Sequence, residues 1–92
     1  MWKGSASTDQ AFWVSQTVLP ASFDVELTPT TMTLGRLSGA VLVWSDKGDL
    51  LSVFGRLDGA NVQVLFDWTT GKGTWTFNGL QGNASGKVTL SR

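Results

Sequence analysis

Gly35-Arg36-Leu37-Ser38-Gly39-Ala40 and Gly55-Arg56-Leu57-Asp58-Gly59-Ala60 are nearly identical stretches 20 residues apart, and Asn78-Gly79-Leu80-Gln81-Gly82-Asn83 echoes them more loosely 23 residues further on. Each stretch contains one residue followed by a glycine. This pair lies between two runs of residues that are apolar or that alternate between apolar and polar. Asp-Gly is among the best two-residue hairpin signals, because glycine adopts a positive φ without steric cost. The echoes therefore predict chain reversals at Ser38-Gly39, Asp58-Gly59 and Gln81-Gly82.

Other turn signals lie about halfway between the echoes, at Pro29, at Ser45-Asp46-Lys47-Gly48 and at Thr69-Thr70-Gly71-Lys72. Reversals this closely spaced suit antiparallel neighbours and leave no room for a strand-helix-strand crossover. The sequence therefore predicts an all-β fold. The expected strands lie near residues 22–28, 31–37, 40–45, 49–57, 60–68, 73–80 and 83–91.

Residues 1–21 are open to two interpretations. The stretch 11–19 is rich in Phe, Trp, Val and Thr, which favours a strand. Ser7 followed by Gln10 instead fits a helix capping box, with Pro20 as the helix stop. We expect a strand, with a short helix as the alternative, and a single domain spanning residues 1–92.

Alternation of apolar and polar residues indicates that one face of the predicted sheet is buried. It is clearest in Val62, Val64, Phe66 and Trp68. We predict an antiparallel meander of seven to nine strands that closes into a small up-and-down β-barrel, or else forms a strongly curved sheet or a sandwich. The outline is similar to small up-and-down barrels of the avidin and lipocalin type, a likeness that implies architecture alone and assigns no functional residue.

The turns also predict which residues face the core. A two-residue turn at Asp58-Gly59 pairs Leu57 with Ala60 and places both inward. A turn at Ser38-Gly39 pairs Leu37 with Ala40 and Gly35 with Leu42, and so turns Trp44 inward. A turn at Gln81-Gly82 would set Leu80 opposite the face of Trp75 and Phe77, unless a bulge at Gly79 restores the phase.

Composition excludes most catalytic chemistry. The 92 residues include no His and no Cys, so a Ser-His-Asp or Cys-His nucleophile and a thiolate or imidazole metal site are impossible. The remaining enzymatic route is a carboxylate pair such as Asp49 and Asp67, but their predicted faces differ. We therefore expect no enzyme, no cofactor and no metal.

Charge and hydropathy narrow the partners. The formal net charge is zero and only 15% of residues are charged, which argues against nucleic acid and against an anionic membrane surface. No stretch reaches the roughly 20 apolar residues of a membrane helix. The Ser, Thr, Gly and Asn content favours a secreted or cell-surface domain.

Aromatic residues are predicted to gather at one end of the meander. The turns near 29–30, 45–48 and 69–72 share that end, which also receives the ligand-binding candidates Trp44, Trp68, Trp75, Asp49 and Lys72. Aromatic rings with a few polar groups suit a carbohydrate or a small apolar ligand. We therefore predict a small-ligand binding module, the alternative being that these tryptophans fill the barrel as ordinary core.

The opposite face of the predicted sheet is too apolar for plain solvent surface. The candidate interface residues on it are Leu34, Val41, Val43, Leu50, Phe54 and Leu65. Such a patch usually marks an interface, so either residues 10–19 or a second copy of the chain should cover it. This predicts a structural or assembly protein as the alternative function, unless a register slip of one residue exchanges the two faces.

Overall fold

Every connection in this chain reverses its direction, so that eight strands follow one another as antiparallel neighbours. The computed structural model describes residues 1–92, and its first and last strands pair to close the barrel. The strands are β1 (Trp2–Trp13), β2 (Ser22–Leu27), β3 (Thr31–Leu34), β4 (Leu37–Lys47), β5 (Leu50–Leu57), β6 (Ala60–Asp67), β7 (Lys72–Gly79) and β8 (Gly82–Ser91). No helix capable of spanning a membrane is present. The predicted all-β meander and closed barrel are confirmed.

The connections sort into two ends, as the turn signals predicted. One end, called the terminal end below, holds both chain termini and the turns 28–30, 48–49 and 68–71. The other, called the loop end, holds segment 14–21 and the two-residue turns 35–36, 58–59 and 80–81. Side chains that share an end can therefore come from strands far apart in sequence.

Inward-facing side chains fill the barrel. The core contains 18 buried apolar residues, and the largest fully buried side chains are those of Trp75, Phe66 and Phe77. Trp2 closes the terminal end by resting edge-on against Phe66, and Trp13 meets Phe77 in the same way toward the loop end. As expected for a small barrel, the interior is packed with side chains.

The predicted reversal at Asp58-Gly59 is confirmed. Both central residues have positive φ, 50° at Asp58 and 79° at Gly59, as a hairpin turn that matches strand twist requires. Leu57 pairs with Ala60, and the ladder continues through Val53 with Val64. All four of these apolar residues are fully buried.

The predicted reversal at Ser38-Gly39 is wrong. The turn lies at Gly35-Arg36, where Gly35 has φ of 60°, and Leu34 pairs with Leu37. Residues 38 and 39 therefore lie within β4. A β-bulge between Val41 and Val43 then shifts the alternation of inward and outward residues in β4 by one residue. Trp44 therefore pairs with inward Val53 and faces inward, as predicted.

In the third echo too the turn lies earlier than predicted, here by one residue. Its turn is Leu80-Gln81, flanked by the pair Gly79 and Gly82. Leu80 is 98% exposed at the tip of this turn. No bulge at Gly79 is needed, because Trp75 and Phe77 stay in phase with β8.

The N-terminal region is a strand as far as Trp13, and it contains no helix. Segment 14–21 then turns back toward β2. The Thr8 side chain donates a hydrogen bond to the Pro20 carbonyl, and the Thr8 amide donates to Ala21. Leu19, only 1% exposed, packs into the core from this segment. The strand interpretation therefore holds for residues 10–13 and fails for 14–19.

Candidate binding site at the terminal end

Barrel closure gathers three tryptophans at the terminal end. Trp2 begins β1, Trp44 lies on the part of β4 nearest this end, and Trp68 follows β6 in the turn 68–71. The Trp2 ring stands 4.9 Å from the Phe66 ring at an interplanar angle of 69°, so it roofs the core. Trp2 contributes to a cleft on either side of itself, one shared with Trp44 and one with Trp68.

Internal hydrogen bonds fix two of these indole rings. The Trp44 Nε1 donates to the Pro29 carbonyl oxygen at 3.3 Å, and the Trp68 Nε1 donates to the Gly48 carbonyl oxygen at 3.1 Å. The indole N–H groups are therefore occupied, while Trp68 remains 40% exposed and Trp44 half-buried. What these side chains offer a ligand is a held aromatic surface.

The cleft between Trp2 and Trp44, called the Trp44 cleft below, is the more apolar of the two. Its volume is about 240 Å³, and Leu27, Thr28 and Pro29 complete its lining with Met1. Thr28 is held by its own turn, because its hydroxyl accepts a hydrogen bond from the Thr31 amide at 2.9 Å. The result is a shallow, preformed cleft bounded by two indoles.

The cleft between Trp2 and Trp68, called the Trp68 cleft below, is more polar. It has a volume of about 260 Å³, and Thr69, Thr70 and Arg92 are among the residues that line it. The Arg92 guanidinium lies 5.0 Å from the centre of the Trp2 ring, within cation–π distance. The two clefts therefore share Trp2 and differ in polarity.

Trp75 does not lie at the rim with the other predicted ligand residues. It is 1% exposed, its ring meets that of Phe23 edge-on at 5.2 Å, and its Nε1 donates to the Ser7 carbonyl oxygen at 3.0 Å. Every part of this side chain is used inside the barrel. For Trp75 the core alternative is the correct one.

The predicted polar partners lie at the terminal end but line neither cleft. Asp49 is exposed in the turn 48–49, where its carbonyl oxygen accepts a hydrogen bond from the Trp68 amide at 3.1 Å. Lys72 is the first residue of β7 and is exposed on the outward face of that strand, which it shares with Thr74. The polar residues that do line the clefts include Thr28, Thr69, Thr70 and Arg92.

Trp2 was the main residue that the sequence analysis missed. Its signal is topological, because an even number of antiparallel strands brings both ends of the chain to the same end of a barrel. Because residues 1–21 are open to a strand and to a helix interpretation, the sequence does not fix the number of strands. Trp2 could therefore not be assigned to an end of the barrel. Arg92 was missed for the same reason.

Asp67 belongs to a turn, and one of its two carboxylate oxygens is hydrogen-bonded within that turn. Its Oδ1 accepts hydrogen bonds from the Thr69 amide at 2.8 Å, the Thr69 hydroxyl at 2.5 Å and the Thr70 amide at 3.3 Å. The bonds from Thr69 lower the pKa of the Asp67 carboxyl below its ordinary value. A group held ionised in this way is a poor general acid.

Replacing Thr69 with Ala should raise the pKa of Asp67 toward its ordinary value, because the hydroxyl donor is the largest cause of the shift. The lowered pKa in the folded chain contributes stability that is complete above the unfolded pKa and is lost as pH falls through the folded pKa. NMR titration of the Asp67 side-chain carboxyl measures both variants. An unchanged Asp67 titration in Thr69→Ala would contradict this assignment.

The outer face carries only part of the predicted interface. Leu34 is fully buried in the barrel and Val41 packs against the core, so both predictions of an outward position are wrong. The cause is the reversal at Gly35-Arg36, which exchanges the inward and outward faces that were predicted for Leu34 and Val41. Val43, Leu50, Phe54 and Leu65 do remain on the outer face, joined by the bulge residue Leu42. These five residues are called the outer strip below.

Residues 10–19 do not cover this outer strip. Residues 10–13 pair with β8, and segment 14–21 lies at the loop end. Leu42 and Val43 are 53% and 52% exposed. Val43 pairs directly with Phe54, and Ser52 beside it accepts a hydrogen bond from the Gln63 side chain at 2.9 Å. The strip is uncovered within one chain.

Comparison with protein-family models, with curated proteins and with solved structures finds no match to this chain. Its function must therefore be inferred from the geometry of the terminal end and the outer face.

Proposed function

We propose that this protein is a non-enzymatic binding module that holds a carbohydrate ring or a small apolar molecule in the Trp44 cleft. The observation that carries the proposal is the gathering of Trp2 and Trp44 around a preformed cleft, with the Trp44 N–H bonded internally. An aromatic face binds the C–H face of a sugar or another flat apolar surface, and nearby polar groups orient it.

The size of the cleft limits the ligand. At about 240 Å³ it is smaller than the roughly 300–1,000 Å³ of sites for drug-sized molecules. One ring is therefore the expected occupant. A second ring of a disaccharide would continue over Trp2 into the Trp68 cleft, where the Thr69 and Thr70 hydroxyls and Arg92 supply polar contacts.

Rigidity favours binding despite the shallow shape. The Trp44 ring is tied to Pro29, and the turn 28–30 is held by the Thr28 hydroxyl. Little side-chain freedom is lost when a ligand docks on such a surface, which lowers the entropic cost of binding. The proposal assigns no chemical step, since Asp67 is engaged in its turn and Asp49 lines neither cleft.

Titration of methyl glucoside, cellobiose and indole against intrinsic tryptophan fluorescence tests the proposal. Trp44→Ala should weaken the binding of the best probe at least tenfold, which corresponds to about 1.4 kcal/mol. Trp13→Ala, the same substitution near the loop end, is the matched control and should leave the affinity unchanged. Equal weakening in both variants, or no response of the wild-type chain to any probe, would contradict the proposal.

A second candidate function, self-assembly through the outer strip, is favoured by the exposure of Leu42 and Val43 beside Phe54. Contiguous apolar surface on a folded chain often marks an interface. Sedimentation of the wild-type chain and of Phe54→Asp separates this candidate from the first. A wild-type oligomer that Phe54→Asp dissociates would support assembly, whereas a monomer at high concentration would exclude it.

A further inference from the structure

β4 is much longer than the strand on one side of it. β3 pairs with β4 only from Leu37 to Ala40, and the Val41 amide adds one bond to the Thr30 carbonyl oxygen. β5 instead pairs with β4 as far as Lys47. From Leu42 to Lys47, β4 therefore has a neighbour on one side only and presents an open backbone edge at the terminal end.

The register identifies the groups on this edge. The turn 48–49 is flanked by the pair Lys47 and Leu50, so in the antiparallel ladder residues 43, 45 and 47 direct their N–H and C=O groups toward β5. The intervening residues Trp44 and Asp46 direct theirs away from β5. Beyond the bulge, these two residues supply two donors and two acceptors in strand geometry.

The open edge borders the Trp44 cleft. Trp44 and Asp46 pair with Val53 and Leu51, which face inward, so their side chains lie on the face of β4 that looks over the terminal end. A strand added beside Trp44 would lie above Pro29, where β3 would continue if it were longer. The side chain opposite Trp44 on that strand would then point into the cleft.

The negative charge of Asp46 defines a second contact position for an added strand. Asp46 is exposed, and the chain's one ion pair joins Lys3 to Glu26, so the Asp46 carboxylate has no cationic partner. On an added strand the residue opposite Asp46 is two positions from the residue opposite Trp44 and lies on the same face. Opposite charges across neighbouring strands stabilise pairing.

We propose that the open edge of β4 binds an extended peptide by β-strand addition, with an apolar side chain in the Trp44 cleft and a Lys or Arg opposite Asp46. In the antiparallel orientation the peptide reads basic-x-apolar along its own direction. The backbone groups of Trp44 and Asp46 provide the affinity and the two side-chain positions provide the specificity. This inference concerns the backbone edge and does not depend on whether the cleft binds a sugar.

A second copy of the chain fits this edge less well. Antiparallel pairing of two β4 edges sets each Asp46 against Trp44, against Leu42 or against the other Asp46, depending on the register. The carboxylate then meets apolar surface or a like charge, both of which are unfavourable. The bulge and this carboxylate also protect the edge from pairing with itself.

The test uses the full chain and the blocked hexapeptide Ac-Thr-Thr-Lys-Thr-Leu-Thr-NH2, followed by amide chemical shifts in NMR. Binding should perturb the amides of residues 42–47 and the Trp44 indole. N-methylation of the peptide Leu, whose N–H would bond to the Trp44 carbonyl, should weaken binding at least about tenfold. N-methylation of the Thr between Lys and Leu is the matched control, because that N–H faces away from β4.

Charge reversal provides an independent arm. Asp46→Lys should weaken the Lys peptide about tenfold and strengthen a peptide with Glu in place of Lys, whereas Asp9→Lys, in β1, should change neither. Equal binding of the two N-methylated peptides, no perturbation of residues 42–47, or a chain dimer formed through β4 would overturn the proposal. Peptide binding without any response to sugars or indole would leave it standing and reject the small-ligand function.

Discussion

Gly86→Ala should destabilise the barrel by at least about 3 kcal/mol, a large part of the 5–15 kcal/mol typical of a folded domain. A Cβ built on Gly86 would overlap the Ser7 carbonyl oxygen of the neighbouring strand and would lie 2.8 Å from the Trp75 Nε1. Ser7 and Trp75 already share a hydrogen bond at this place. The added methyl group would therefore force β1 away from β8 where the barrel closes.

The control for this substitution is Gly59→Ala. Gly59 has a φ of 79°, and an added Cβ would meet nothing within 4 Å. Its cost is backbone strain alone, about 1 kcal/mol. Urea denaturation of both variants measures the difference. Equal losses would contradict the close approach of β1 and β8 at Gly86.

Trp75→Ala should cost about 3 to 5 kcal/mol, the range observed when a large aromatic side chain is removed from a core. Trp75 is 1% exposed and contacts Phe23, and its removal would also leave a cavity in the centre of the barrel. Trp75→Phe keeps part of the ring packing and loses the bond to Ser7, for which about 1 to 2 kcal/mol is expected.

Trp68→Ala is the matched control, because Trp68 is 40% exposed and rests on the surface of the terminal end. Its expected cost is within about 1 kcal/mol. Urea denaturation of the three tryptophan variants therefore separates a core indole from a surface one. Similar losses for Trp75→Ala and Trp68→Ala would contradict their different environments.

The fold could be predicted because its turns are local. The turn predicted at Asp58-Gly59 was correct, because both of its residues adopt a positive φ. That one turn also fixes the pairing of β5 with β6 and therefore which of their residues face inward. The first echo was harder because Ser38 stands where the second echo has Asp58, so it lacks the Asp-Gly signal and either of its glycines, Gly35 or Gly39, can mark the turn. Which glycine turns the chain is decided by packing, which places Leu34 and Leu37 together in the barrel wall.

The inward position of Trp44 was predicted through two errors that offset each other. The turn was placed three residues too late, which reversed the phase of residues 39–42, and the bulge at Leu42 restored it before Trp44. A bulge has no clear signal in a single sequence, because its position depends on the local twist of the sheet. The face assigned to Val41 was consequently wrong while that of Val43 was right.

The candidate site was predicted only in part, because depth along a barrel depends on three-dimensional closure. Trp44 and Trp68 were placed at the correct end by their turns. Trp75 lies only three residues beyond the start of β7, yet its side chain reaches Ser7 and Phe23 in the interior. Trp2 belongs to the site because β1 closes the barrel against β8, and the sequence alone does not show this closure.

Closure of β1 onto β8 is the central claim, since it brings Trp2 to the end of the barrel that carries Trp44 and Trp68. Its most direct test is a search for NOEs between the Hα protons of facing residues on these two strands. The ladder predicts strong Hα–Hα NOEs for the pairs Gly4 with Leu90 and Ala6 with Val88. Absence of both NOEs, together with rapid hydrogen exchange of the Ser5 and Ser7 amides, which bond to β8 in this register, would show an open sheet and contradict closure of the barrel.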